Sequence, residues 1–262
     1  MEVLTDGLGL VEGPRWDERD GSVWFSDALG GGVYRRTEAG EVETIDPLRR
    51  GVGGLVLHED GGVVASGRRL AHLREGGSRD LLSVAGVTGF NDIEADVEGG
   101  VLAGALRYRP FRGEDPVPGS VWRLRRDGEA EELFGGVTWP NGIGLSPDGT
   151  TVYVSDYQEA CVLAWEGGSE ARVHARAPDG ASCDGLALDA EGGLWVALGQ
   201  GGAIGRYAPD GALVEVMDVP ADFVASVAFG GEDGHDLYVA TVGALLRTRT
   251  DVAGSPTYRA RV

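Results

Sequence analysis

Residues 142–156 read GIGLSPDGTTVYVSD, a short apolar run, a Ser-Pro-Asp-Gly turn, then a run rich in β-branched residues that ends in Ser-Asp. Pro presets φ for a turn and Gly takes the positive φ that L-residues avoid, so this stretch reads as two strands joined by a tight turn. The same pattern recurs as GPRWDERDGSVWFSD from Gly13, GLVLHEDGGVVASG from Gly54, DIEADVEGGVLAGA from Asp92, GLALDAEGGLWVAL from Gly185 and SVAFGGEDGHDLYVA from Ser226. The six starts lie 38 to 50 residues apart. After each hairpin the chain continues with two outer strands, at residues 32–37 and 41–45 in the first repeat. A period of this length, carrying several strands and no helical pattern, is that of propeller blades. The expected fold is all-β, a six-bladed β-propeller of four-stranded antiparallel blades, with residues 1–262 as one domain. A β-sandwich would also show short strands and many turns, but gives no reason for one turn chemistry to recur at this interval.

Composition agrees with that reading. Of 262 residues 45 are Gly, with neither a collagen period nor a low-complexity tract, as many tight turns require. The net charge of −19 repels phosphate backbones and anionic lipid, so no nucleic-acid and no membrane partner is expected. All 23 basic residues are Arg, which excludes a lysine Schiff base and a P-loop lysine. No apolar run approaches a bilayer span and the first residues lack a basic segment followed by an apolar core, so a cytoplasmic location is expected. Cys161 and Cys183 read as free buried thiols.

Aligned on their first strands, the repeats place Glu12, Gly53, Asn91, Asn141, Asp184 and Ala225 in one column just before the strand. Four of the six are oxygen donors, and the chain's two Asn residues both fall there. In a propeller the first strand of each blade is innermost, so this column converges on the axis at one end of the tunnel. Two carboxylates in a narrow, partly dry tunnel repel each other and lose hydration unless a cation compensates. A set of carboxylates and amides without His or Cys suits Ca²⁺, Mg²⁺ or Mn²⁺ better than a structural zinc site, so one divalent ion is expected, Ca²⁺ first, with Mg²⁺, Mn²⁺ or Zn²⁺ as the other candidates. The competing reading has these side chains merely bonding to backbone at strand ends.

At Glu12-Gly13-Pro14, Asn91-Asp92, Trp139-Pro140-Asn141-Gly142 and Cys183-Asp184-Gly185 the chain resembles the SMP-30/gluconolactonase/luciferin-regenerating-enzyme family. The resemblance covers nearly the whole chain. It implies one divalent metal bound by Glu12, Asn141 and Asp184, with Asn91 beside it on substrate or bound water. It further implies a lactone hydrolase, with a small-molecule substrate as its partner, in which Asp184 is the catalytic base. Family members commonly carry an Arg two residues before that Asn, where this chain has Gly89. Replacement contacts are expected from the Arg-rich stretch Arg107 to Arg112 of the loop at residues 107–118, with Arg107 and Tyr108 as substrate-binding candidates and Trp139 as a pocket wall. A non-hydrolytic isomerase or cyclase using the same metal, and a non-catalytic propeller stapled by it, are the rival functions. His58, His72, His174 and His235 fall in turns and outer strands of different repeats, which speaks against a shared role. Trp24, Trp122 and Trp195 lie inside strands and read as core. Oligomeric state and the particular lactone are not readable.

Overall fold

The computed structural model describes all 262 residues, and apart from a 3-10 turn at Pro110–Arg112 its regular structure is β-strand. Four sheets have four strands and a fifth has six, every sheet antiparallel. In each four-stranded sheet the strands follow chain order from one edge to the other, so hairpin turns suffice to connect them. The first strands, Glu2–Asp17, Leu55–Leu57, Gly89–Ala95, Pro140–Leu145, Leu186–Leu188 and Val224–Gly230, each pack on the next, and the last packs on the first. That closed ring of inner strands makes the fold an all-β propeller.

Six separate four-stranded sheets were expected, and the hydrogen-bonded sheets number five. The difference lies in two long strands that run unbroken from one set of partners to another. Glu2 to Asp6 pair with Arg247 to Ala244, whereas Val11 to Asp17 pair with Ser22–Asp27. Asp236–Arg249 in turn pairs at its start with Val224–Gly230. One ladder therefore joins the two ends of the chain, and the sheet it produces has six strands.

Burial follows from this radial order. Every residue of Ser22–Asp27 is buried, because a strand deep in a propeller is covered on both faces by neighbouring sheets. The outermost strands Val42–Asp46 and Leu213–Asp218 are largely exposed. Apolar clusters form between adjacent sheets: Val56, Leu70, Phe90, Ile93 and Val101 belong to one of them. Trp24 and Trp195 are buried and Trp122 is half-buried. Cys161 and Cys183 are free, and burial pushes their thiols up to about 11 and about 12.

At the far end of the inner strands, Asp residues close the first turn of several repeats by accepting backbone N–H groups. Asp96 takes those of Glu98 and Gly100, both at 2.8 Å, and Asp189 takes those of Glu191 at 3.0 Å and Gly193 at 2.7 Å. Residues 253–261 then cross this end. Ala190 N–H donates to Ala253 C=O, Ser255 N–H to Leu188 C=O, Ala260 N–H to Leu57 C=O and Arg261 N–H to Gly99 C=O. A cavity of about 70 Å³ remains between this crossing segment and the tunnel, lined by Arg15, Glu94, Ile143, Leu188, Phe229 and Tyr258 among others.

Arg259 fastens that segment to Asp17 at 2.8 Å, and Arg19 holds the same carboxylate at 2.8 Å. Burial alone would raise the Asp17 carboxyl, but hydrogen bonds from Arg19 and Arg259 outweigh it and hold it at about 2. A carboxyl depressed on folding stabilises above its unfolded pKa, and that stabilisation fades as pH falls through the folded one. Asp17→Asn should cost on the order of 1 kcal/mol at neutral pH, after allowance for solvent screening. Thermal melts should show the gap between wild type and variant at pH 7 and its loss near pH 2; a gap of unchanged size across that range would refute the assignment.

Candidate active site

The residues that converge at the other end of the tunnel sit on irregular backbone. In four inner strands the pairing to the second strand slips at the column: between Glu12 and Arg15, Phe90 and Ile93, Pro140 and Ile143, and Val224 and Ser226. The other two, Leu55–Leu57 and Leu186–Leu188, start only after it. A bulge re-aims side chains and leaves backbone groups outside the ladder. Neighbouring sheets supply the missing partners. Gly142 N–H donates to Asp184 C=O at 3.2 Å, Gly185 N–H to Ala225 C=O at 2.8 Å, and the Asn91 side-chain amide to Pro140 C=O at 3.1 Å.

The position after the column is Gly in four repeats, at 13, 54, 142 and 185. A Cβ on Gly142 would stand 2.7 Å from Asp184 O, and one on Gly13 would stand 2.9 Å from Leu55 N. Gly13 also has φ +53°. Glycine is what lets adjacent inner strands approach closely enough to narrow the tunnel.

Glu12, Asn141 and Asp184 are all buried. Loss of hydration, then the nearby charges of Asp184 and Asp92, holds the Glu12 carboxyl well above the usual carboxylate range. Burial and then Asp92 do the same to Asp184, eased by the Gly185 N–H and the Asn141 amide. Asp184 Oδ1 is buried with no hydrogen-bond partner. No three His, Cys, Asp or Glu side chains gather into a cage anywhere in the chain. The column instead offers two carboxylates and an amide oxygen. An orphaned carboxylate oxygen, two acids whose charge burial disfavours, and the absence of sulfur or imidazole fit a hard divalent cation.

Three further residues stand around these acids, and the repeat pattern assigned none of them a role. Asp92 is buried and pushed up to about 7, desolvation outweighing the nearby Arg15. It occupies the position that is Gly in four repeats, and that departure was a legible signal. Arg15 reaches from the first inner strand to the third, where Nη2 donates to Ile93 C=O at 3.1 Å and to Glu94 at 3.0 Å. This ion pair links the first inner strand to the third and lines the cavity at the far end. Nothing in the repeat pattern links Arg15 to Glu94, since the contact skips a neighbouring strand.

Above the column Trp139 lies at the centre of an aromatic group. Tyr157 is 4.8 Å away, and Phe111 and Tyr108 meet its ring edge-on at 5.8 and 6.3 Å. Asp156 fixes this loop by accepting the Thr138 and Trp139 N–H groups. Tyr108 is buried with its hydroxyl unpartnered, whereas Phe111 is 81% exposed. Tyr157 and Ser182, which the sequence reading passed over, both donate hydroxyls to Gln200 Oε1. Arg107 is engaged elsewhere, with Glu132 of the outermost strand Ala130–Val137 at 3.1 Å. The histidines stand apart from the column. His58 stacks on His72, His174 packs on Tyr153, and His235 bonds to Thr250 C=O.

The model of one protein family, described as the SMP-30/Gluconolactonase/LRE-like region, matches residues 10–243. The chain belongs to that family. Within the SMP-30/gluconolactonase family it is 29% identical to the pentonolactonase XacC of Haloferax volcanii, over 92% of this chain and 84% of the relative. Regucalcin of Danio rerio is 31% identical, over 91% and 85%. A solved gluconolactonase from Xanthomonas campestris superposes with a TM-score of 0.82 at 25% identity, covering 96% of this chain and 88% of its own.

If Glu12 and Asp184 strain the metal-free protein by mutual burial, removing one charge relieves it. In excess chelator at pH 8, Asp184→Asn should melt higher than wild type, by roughly 1 kcal/mol or more. A lower melting temperature for the variant would show that the two acids do not oppose each other.

Proposed function

We propose that the chain is a divalent-metal-dependent lactone hydrolase formed as a single propeller domain over residues 1–262. On this reading the six-stranded sheet counts as two blades, the chain's first strand completing the last blade, so that the propeller has six. The unpartnered, buried Oδ1 of Asp184 beside a second buried acid carries the proposal, because an enclosed carboxylate oxygen without a donor calls for a cation. Family membership and relatives named as lactonases support it.

Glu12, Asn141 and Asp184 would hold the ion, with Ca²⁺ the first candidate. A cation there supplies a Lewis acid for the ring carbonyl and for the negative charge that develops on its oxygen. Asp184 takes the proton of the attacking water, and Asn91, fixed through its amide to Pro140 C=O, orients water or substrate. Trp139 and Tyr157 form a rigid apolar wall against which the ring of a lactone can lie. Arg15 and Glu94 pair on the side of the acids that faces the far cavity, and on this reading substrate enters and product leaves by the mouth. The absence of any helix long and apolar enough to cross a membrane accords with a cytoplasmic enzyme.

The test is acid release from a panel of lactones and esters, read with a pH indicator in Ca²⁺, Mg²⁺, Mn²⁺, Zn²⁺ or chelator. At least one lactone should be opened with a metal present and not in chelator. Asp184→Asn should lower kcat by about a thousandfold or more while the protein stays folded, in line with loss of a general base and a ligand together. Acid release from no compound under any metal would end the hydrolase reading.

A further inference from the structure

The loops that open on the mouth are charged unevenly. Those between Asp27 and Pro140 carry seven arginines against two acids, Glu114 and Asp115, although the protein's net charge is −19. The mouth loops at 157–160, 177–185, 198–202, 219–223 and 242–243 carry no arginine, and Glu159, Asp179, Asp184 and Asp222 stand there instead. One half of the rim is thus basic and the other acidic.

Most of the seven are occupied. Arg69 pairs with Asp80, Arg107 with Glu132 and Arg109 with Glu114. Arg49 donates to the Ala65 and Ser66 carbonyls, and Arg50 to that of Pro47. The side chains of Arg68 and Arg112 bond to nothing in the protein. Arg112 ends the outlying turn beyond the exposed Phe111.

Arg68 is placed differently. Gly67, the residue before it, exchanges both backbone hydrogen bonds with Phe90, at 2.7 and 3.0 Å, which fixes the turn to the strand that carries Asn91. A Cβ on Gly89 would stand 3.9 Å from Arg68 Cα. Gly89 presents no side chain there, and Arg68 is exposed beside that space. A free guanidinium on a pinned turn is a planar fork of donors matched to the paired oxygens of an oxyanion.

We infer that the site takes a lactone bearing an anionic substituent (carboxylate, phosphate or sulfonate) and that Arg68 binds this group as a specificity-determining residue. The hydrolytic part of the inference rests on the lactonase reading; the recognition part does not. The basic half of the rim draws the anion toward Arg68, and the aromatic wall around Trp139 takes the uncharged ring.

The experiment has two arms. In the first, kcat/KM is compared for glucono-δ-lactone and for its 6-phosphate, 6-sulfonate and 6-carboxylate counterparts. At least one anionic lactone should be preferred by tenfold or more, and the pattern among the three identifies which oxyanion is bound. Arg68→Ala should collapse that preference at least tenfold, Arg68→Lys should restore part of it, and Arg125→Ala on the opposite end of the propeller should leave it unchanged. In the second arm, calorimetry compares sorbitol 6-phosphate, 6-sulfonate and 6-carboxylate with sorbitol, none of which holds an ester ring to be opened. At least one should bind tenfold or more tighter than sorbitol in wild type, and the margin should vanish in Arg68→Ala. Margins in the binding arm without turnover of any lactone would defeat the hydrolase reading and leave the recognition intact. Equal kcat/KM and equal binding for charged and neutral compounds, or an Arg68→Ala variant that keeps the full margin, would overturn the inference.

Discussion

Two carboxylates, Glu12 and Asp184, are held out of water at one end of a narrow tunnel, close enough for the charge of one to raise the pKa of the other. Most features near the axis can be read as the means of building that arrangement or of bearing its cost. Burying like charges without compensation is among the more unfavourable things a fold can do. Here the neighbouring groups offer only partial relief, a backbone N–H and an amide at Asp184 and a backbone N–H at Glu12. On the proposed reading a cation supplies the relief that these groups do not, and that is the physical core of the functional proposal.

The backbone achieves the convergence by giving up regular pairing where regularity would aim the side chains elsewhere. Slipped register at Glu12, Asn91, Asn141 and Ala225 frees N–H and C=O groups, and several of these bond to the next sheet instead of the next strand. The same bonds close the ring of inner strands, so the feature that positions the column's acids and amides also holds sheet to sheet. Glycine after the column allows the approach, because any Cβ at Gly142 would meet the backbone around Asp184. Structure and site are therefore not separable at these positions. Farther down, the Arg15 and Glu94 pair and the crossing segment at residues 253–261 line the cavity at the opposite end.

How much of this was legible depended on whether the information was local. Turn chemistry such as Ser146-Pro147-Asp148-Gly149 marks hairpins within a few residues, and its recurrence exposed the propeller. The oxygen-donor column could be read because repeats convert sequence register into spatial proximity. The joining of sheets through Glu2–Asp17 and Asp236–Arg249 was not legible, since that pairing links the two ends of the chain and no turn residue marks it. Arg15 meeting Glu94 was hidden for the same reason, as the side chain spans past an intervening strand. Arg107 looked available as a flanking cation, yet Glu132, twenty-five residues later in sequence, engages it. Arg68 drew no notice, because its placement beside Gly89 is set by backbone bonds between Gly67 and Phe90 in different sheets.

Diffraction shows directly where an ion sits. Crystals soaked in Mn²⁺ and measured at the manganese absorption edge should give one strong anomalous peak on the tunnel axis, within roughly 2.6 Å of a Glu12 oxygen, the Asn141 amide oxygen and an Asp184 oxygen. A peak confined to other carboxylates, or no peak at saturating metal with these three side chains clearly ordered, would contradict the account.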